Sequence, residues 1–299
     1  MFDLRYHVAS LAAVFLALII GILVGVGISS GGFVKKGERK LLTDQIADLR
    51  KRLDAANTRA HDLGQAQQTG QTFIQDSYPA LMADRLGGKR IALVFVGSID
   101  GRTRSLVEKT LSDAGAPALI RIRALKVPID LGRLDAVLAA RPGLAAFAAA
   151  TAAGDIGREL GQEFVLGGET PLWNALSPQL VAERSGGQQQ PADAVVVVRS
   201  AEPQQEQTAR FLAGLYSGLA AQGVPAVGAE TTGALPSAID TFRRAHLSTV
   251  DDLDTAPGRL ALAALLAGAR PGSYGLKASA KGGLLPPVEP VTAPAAVGG

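Results

Sequence analysis

The sequence predicts an α/β protein: a single N-terminal transmembrane helix, a coiled-coil stalk, then a mostly parallel α/β sandwich domain. Three observations carry this reading. Residues 8–28 form an uncharged apolar run; apolar residues recur at alternating spacings of four and three from Leu42 to Leu63; and two aliphatic runs, Ile91–Val96 and Val195–Val198, each precede a helix-like stretch. The implied segments are an anchor at 1–32, a stalk at 33–70, an α/β domain at 71–275 and a Pro/Gly/Ala-rich tail at 276–299.

The anchor follows from length. A helix rises about 1.5 Å per residue, so this run spans the roughly 30 Å hydrocarbon core, whereas the apolar region of a cleaved signal is about 7 to 15 residues. No Ala-x-Ala cleavage site stands after it. Within the run, Gly21 and Gly25 make a small-xxx-small pair, which lets two helix backbones approach closely.

The stalk follows from spacing. Ile46, Leu53 and Ala60 occupy heptad a positions, and Leu42, Leu49, Ala56 and Leu63 occupy d. A β-branched residue at a with Leu at d favours a parallel two-stranded coiled coil. Gly21, Gly25, Leu42, Ile46, Leu49 and Leu53 are therefore the expected oligomerisation residues, and a homo-oligomer is the expected assembly. The alternative is an amphipathic helix lying on the chain's own globular domain.

Beyond the stalk, Phe73–Leu86 reads as a short amphipathic helix stopped by Gly87-Gly88. Ile91–Val96 is a continuous apolar run, as expected of a parallel strand covered on both faces. A helix over 102–114 ends at Gly115, and residues 118–124 alternate Leu and Ile with residues expected to be exposed. Residues 130–185 are helical and rich in Ala and Gly, with Trp173 as a core or interface anchor. Strand 192–199, helix 202–221, strand 224–228, a short strand at 247–250 and a helix at 257–268 complete an alternation that implies βαβ units. Residues 282–299 have little reason to order.

Composition narrows the chemistry. The chain has 30 basic and 27 acidic residues and no cysteine, so disulfides, zinc-thiolate sites and thiol catalysis are excluded. No basic stripe interleaved with aromatics points to nucleic acid. The loop Gly97-Ser98-Ile99-Asp100-Gly101 lies where a parallel sheet binds ligands, yet it carries neither nucleotide fingerprint. Asp100 is expected to cap the following helix. Gly27-Ile28-Ser29-Ser30-Gly31 matches a hydrolase elbow but sits at the end of the membrane run, outside the strand-to-helix context that motif needs. Asp251-Asp252-Leu253-Asp254 is expected to be a solvated turn. His7, His61 and His246 show no metal-ligand spacing; His7 is expected beside Tyr6 at the membrane interface. No constellation argues catalysis, and no cofactor is evident.

The string Asp3-Leu4-Arg5-Tyr6-His7-Val8-Ala9-Ser10-Leu11, continuing to Gly21-Ile22-Leu23-Val24-Gly25, resembles the actinobacterial copper transport protein family called MctB. Ser273-Tyr274-Gly275-Leu276-Lys277 followed by Leu284-Leu285-Pro286-Pro287 is similar to that family's C-terminal signature. The resemblance implies an envelope protein of copper efflux or homeostasis, with copper as its ion and its domain outside the cytoplasmic membrane. It supplies no metal ligand, since soft copper sites want Cys or Met and Cu(II) sites want clustered imidazoles. Membrane lipid and other envelope proteins are the further partners expected. Two other readings stand beside transport: an envelope scaffold, and a membrane-tethered small-molecule-binding domain using residues 97–101.

Topology separates two signals. Lys35, Lys36, Arg39 and Lys40 follow the apolar run and only Arg5 precedes it, so the positive-inside rule places the domain in the cytoplasm, opposite to the resemblance. A tag placed after residue 299 should be cleaved by protease added to intact spheroplasts if the family topology holds; a protected tag contradicts it.

Overall fold

The computed structural model describes residues 4–29, 32–149 and 153–289. The chain forms two compact units, residues 1–70 and 71–299.

The first unit is helical. Helix α1 (Leu4–Ser29) contains the apolar span His7–Gly27, long and apolar enough to cross a membrane, with none of it buried in the protein. Helix α2 (Gly32–Met82) carries the heptad residues, and its last turns belong to the second unit. The short helix expected at 73–86 is thus the end of a longer one.

The second unit is built on one seven-stranded sheet. In chain order its elements are β1 (Ile91–Val96), α3 (Gly101–Asp113), β2 (Arg121–Leu125), α4 (Leu131–Ala139), α5 (Ala145–Ala149), α6 (Ala153–Leu166), α7 (Pro171–Leu180) and β3 (Val181–Gly186). Then come β4 (Ala194–Arg199), α8 (Glu206–Ala220), β5 (Ala226–Ala229), α9 (Ile239–Arg244), β6 (Ser248–Val250), α10 (Ala256–Ala267) and β7 (Ser273–Tyr274). The spatial order is β3-β2-β1-β4-β5-β6-β7, with every pair parallel except β2–β3. The mostly parallel sheet expected from the alternation is therefore present, as one sheet with helices on both faces.

Period-2 alternation divides the core. Ala92, Val94, Val96, Val195 and Val197 face α4, α6, α7 and α8, while Ile91, Leu93, Phe95, Val196 and Val198 face α3, α10 and Met82. Both β1 and β4 read as unbroken apolar runs because both of their faces are covered.

Residue 121 departs from expectation. Arg121 and Arg123 fall at positions read as exposed, yet they are 0% and 6% exposed. Antiparallel β3 and the loop after it cover β2, and the guanidiniums bond to main-chain oxygens and to the Gln188 side-chain carbonyl. Arg123 Nη1 donates to Ser185 O at 2.8 Å and Nη2 to Gln188 Oε1 at 2.9 Å. Arg121 Nη1 donates to Phe164 O at 2.7 Å, its Nη2 donates to Gln190 O, and its guanidinium lies 5.6 Å from the Phe164 ring centroid. Burial and the neighbouring cations Arg123 and Arg90 lower the Arg121 pKa to about 10.

Helices α6 and α8 touch backbone to backbone. A Cβ at Gly161 would lie 2.8 Å from Leu219 N and 2.9 Å from Gly218 C; one at Gly157 would lie 2.9 Å from Leu215 N. Gly214 and Gly218 face Gly154 and Arg158 in the same way. Only glycine lets the two axes come this close. Gly161→Ala should therefore lower stability by about 1–3 kcal/mol in denaturant melts. Gly132→Ala, whose Cβ would make only an ordinary 3.5 Å contact inside α4, should raise it by about 0.5–1 kcal/mol. Equal effects contradict the packing account.

Candidate functional site

Strand order reverses between β1 and β4, and in open parallel sheets ligands bind at that point, beyond the carboxyl ends of the strands. Here the loops themselves close the crevice. Ser200 and Ala201 both donate N–H to Val96 O at 3.0 Å, Ser200 Oγ donates to Ser98 O, and Gly97 N–H donates to Leu125 O at 3.0 Å. Gly97 has φ +105°, and a Cβ there would lie 2.8 Å from Ala201 Cβ. The start of α3 is also occupied: Asp100 accepts from Arg102 N–H at 3.2 Å and Thr103 N–H at 3.1 Å, the cap expected from sequence. The Thr103 hydroxyl, with these amides, holds the Asp100 carboxyl below its usual range. A shallow cleft of about 270 Å³ opens instead beside β2, lined by Lys126, Arg133, Pro178 and neighbours. It falls just short of the roughly 300–1,000 Å³ of typical small-molecule sites.

The densest polar chemistry lies further along the same edge, beyond β5 and β6. Asp251 and Asp252 are 1% and 0% exposed, so the solvated turn expected for residues 251–254 is corrected. The partners of Asp251 and Asp254 come from distant parts of the chain, whereas Asp252 bonds to nearby Thr255. Asp251 Oδ1 accepts from Leu276 N–H at 2.8 Å and Lys277 N–H at 3.2 Å. Gly275, at φ +134°, admits no side chain, because a Cβ would collide with the Asp251 carboxyl and lie 3.0 Å from Asp252 Oδ1. Asp254 accepts from Thr232 N–H at 2.7 Å and Thr232 Oγ1 at 2.6 Å; burial pushes its pKa up, but these bonds outweigh it and leave it below the usual range.

Glu230, at the end of β5, is the counterpart on the next strand. Its Oε1 receives Lys277 Nζ at 2.6 Å and Ser237 Oγ at 2.6 Å, and its Oε2 receives Ala238 N–H at 2.7 Å. Lys277 Nζ also donates to the carbonyls of Thr231 and Ala234, each at 3.2 Å. The C-terminal signature is thus a structural element: Ser273-Tyr274 forms β7, Gly275 clears Asp251, and Lys277 neutralises Glu230. Residues 276–289, assigned by composition to a tail, are held on the domain by these bonds at Leu276 and Lys277 and by Leu285 and Val288, which pack against the core; residues 290–299 lie outside the described part.

Elsewhere the expected residues are dispersed. His61 and His246 are exposed, on α2 and after α9, and His7 is exposed on α1. Among the described residues no group of three or more His, Cys, Asp or Glu could hold a metal ion. Methionine offers no softer alternative there, since Met82 is buried in the core. Gly21 and Gly25 have open space where a Cβ would stand. Leu42, Ile46, Leu49 and Leu53 share α2 and remain 58, 49, 63 and 59% exposed. At the flanking e and g positions stand Arg50, Arg52 and Arg59, of which Arg52 pairs with Asp48 at 2.8 Å.

The family model for "Copper transport outer membrane protein, MctB" matches residues 1–285, from the membrane helix through the Lys277 strap. The chain belongs to this family. No match is found among curated proteins. The MctB match and the apolar helix α1 together describe a membrane-anchored protein of a copper transport family.

The buried carboxyls give stability a pH signature. Burial, reinforced by Asp251 and Asp254, raises the Asp252 pKa, although Thr255 Oγ1 donates to it at 2.8 Å. Its Oδ1 has no hydrogen-bond partner. A carboxyl with a raised folded pKa contributes stability present below the unfolded value, about 3.9, and lost as pH rises through the folded value. Asp252→Asn should therefore flatten the fall of the urea midpoint as pH rises above about 4. Parallel wild-type and variant profiles contradict this. Asp193, lowered to about 2 by the Arg90 guanidinium, titrates in the opposite sense and below that window.

Proposed function

We propose that the chain is a non-enzymatic, membrane-anchored envelope protein that supports copper export or tolerance by assembly, without itself ligating the metal. The observation that carries the reading is the MctB match, which takes in anchor, stalk and α/β domain together. The donor set supports the second half: no cysteine, three dispersed histidines and two methionines, of which Met82 lies in the core, do not make a soft copper site. Among the described residues a single helix is long and apolar enough to span a membrane, and one such helix cannot enclose a pore, so any conduction needs several copies or another membrane structure.

Pairing of two copies through the stalk fits this reading. The Leu42, Ile46, Leu49 and Leu53 seam is apolar and exposed, and chains anchored in one membrane present their stalks in the same direction. In a parallel pair the g-to-e′ contacts join Gln45 to Arg50 and Arg52 to Asn57, with no like charges opposed. The large domain lies outside the cytoplasmic membrane in this reading.

Deleting the gene should raise cellular copper and copper sensitivity, and the unaltered gene should restore both. Unchanged copper content refutes the copper role and leaves the envelope scaffold, which the exposed seam favours. Because the chain has no cysteine, Leu49→Cys provides a unique thiol. It should give a disulfide-linked dimer in membranes, while Asp44→Cys on the outer face should not; equal crosslinking at both contradicts a defined seam.

A further inference from the structure

Between β7 and Leu285, which packs against the core, the strap is attached to the fold by polar contacts. Between Tyr274 and Pro286 no residue is buried; Leu276 is 63% exposed and Leu284 41%. The loop closes on itself, with Gly275 N–H donating to Gly283 O at 3.0 Å and Gly282 N–H to Ser273 O at 2.8 Å. Its links to the sheet are the Asp251 bonds to Leu276 and Lys277 N–H, a 3.3 Å bond from Ser279 Oγ to Asp251 Oδ2, and the Lys277 ammonium. β7 adds only two paired residues.

Segments with few buried apolar contacts occupy the low end of local stability, opening while the core stays folded. The anchor here is also of an unusual kind. Lys277 Nζ sits among three oxygens, one carboxylate and two carbonyls, and its side chain is 22% exposed against 5% for Glu230. Removing one member of a buried pair strands the other charge, while the intact pair adds little net stability.

We propose that residues 275–283 form a latch, in which Lys277 is an internal ammonium ligand of an oxygen cradle at the carboxyl end of β5. Withdrawal of Lys277 opens the loop as a unit, leaves the sheet folded and uncovers Glu230, Asp251 and Asp252. The open cradle takes an alkylammonium group, and a lysine side chain on a partner is the protein form of that ligand. Glu230 supplies the charge; the Thr231 and Ala234 carbonyls accept two further N–H bonds, a geometry that a quaternary ammonium cannot use.

Hydrogen exchange of the full-length protein in detergent, read by mass spectrometry, tests the latch. In the unaltered chain, amides of 275–283 should exchange through a smaller opening than those of β1 and β4. Lys277→Ala should speed exchange in 275–283 by about tenfold or more without changing β1 or β4. Propylammonium should restore the protection and tetramethylammonium should not. Glu230→Gln should open the same loop and abolish the response to propylammonium. Loss of protection throughout the sheet in Lys277→Ala, or unaltered-chain amides of 275–283 that exchange no faster than those of β1, overturns the latch. An opened loop that ignores propylammonium, or responds equally to tetramethylammonium, overturns the ligand role.

Discussion

The α/β domain depends on the glycine contact between α6 and α8. With no side chain at residues 157, 161, 214 and 218, the two backbones settle against each other over the middle of the sheet. That position determines what the end of α6 can reach. Glu163 accepts the N–H groups of Leu172 and Trp173 at 3.0 and 2.9 Å, which satisfies the first turn of α7, where Thr170 makes no side-chain cap bond. Leu160 O receives Trp173 Nε1 at 2.6 Å, and Phe164 offers both its carbonyl and its ring to Arg121. A shift of α6 by one methyl group would disturb the cap, the tryptophan and the buried arginine together.

Charge is distributed unequally across the two edges of the sheet. At the amino edge, Arg121 and Arg123 have carbonyl oxygens as partners and no carboxylate, so burial works against their ionisation. At the carboxyl edge, buried acids outnumber the cations that meet them: Glu230 takes Lys277, Asp251 takes main-chain N–H groups, and Asp252 Oδ1 takes nothing. Buried polar groups are costly unless bonded, and cheapest to satisfy with N–H groups already fixed in the fold. The loop after β7 supplies those groups. Tyr78 performs a related task at the end of α2, donating to Asp113 at 3.0 Å and lying under the Arg259 guanidinium, with its pKa pushed up to about 12 by burial.

The sequence reveals what period and composition encode, and hides what depends on distant partners. β1 and β4 were legible because strands covered on both faces are continuously apolar. β3 was not: Glu183, Arg184 and Ser185 lie on an exposed edge and carry no alternation. Gly157-x-x-x-Gly161 and Gly214-x-x-x-Gly218 could also be read from spacing alone, a signal missed because the surrounding Ala and Gly content obscures it. Asp251 looked like part of a solvated turn because nothing local bonds it; its donors lie about 25 residues on, in the strap. The strap itself looked like a tail because it is rich in Pro, Gly and Ala.

The family match and the donor chemistry point in different directions unless copper is handled by assembly. A protein of the copper transport family that lacks a soft-ligand cluster among its described residues can act by positioning its domain and recruiting others. Anchor and exposed seam suit that task, since both present apolar surface. The most direct measurement is an equilibrium titration of the full-length protein with Cu(I) against a competing chelator. The account predicts no stoichiometric high-affinity site; one tightly held copper per chain would contradict it.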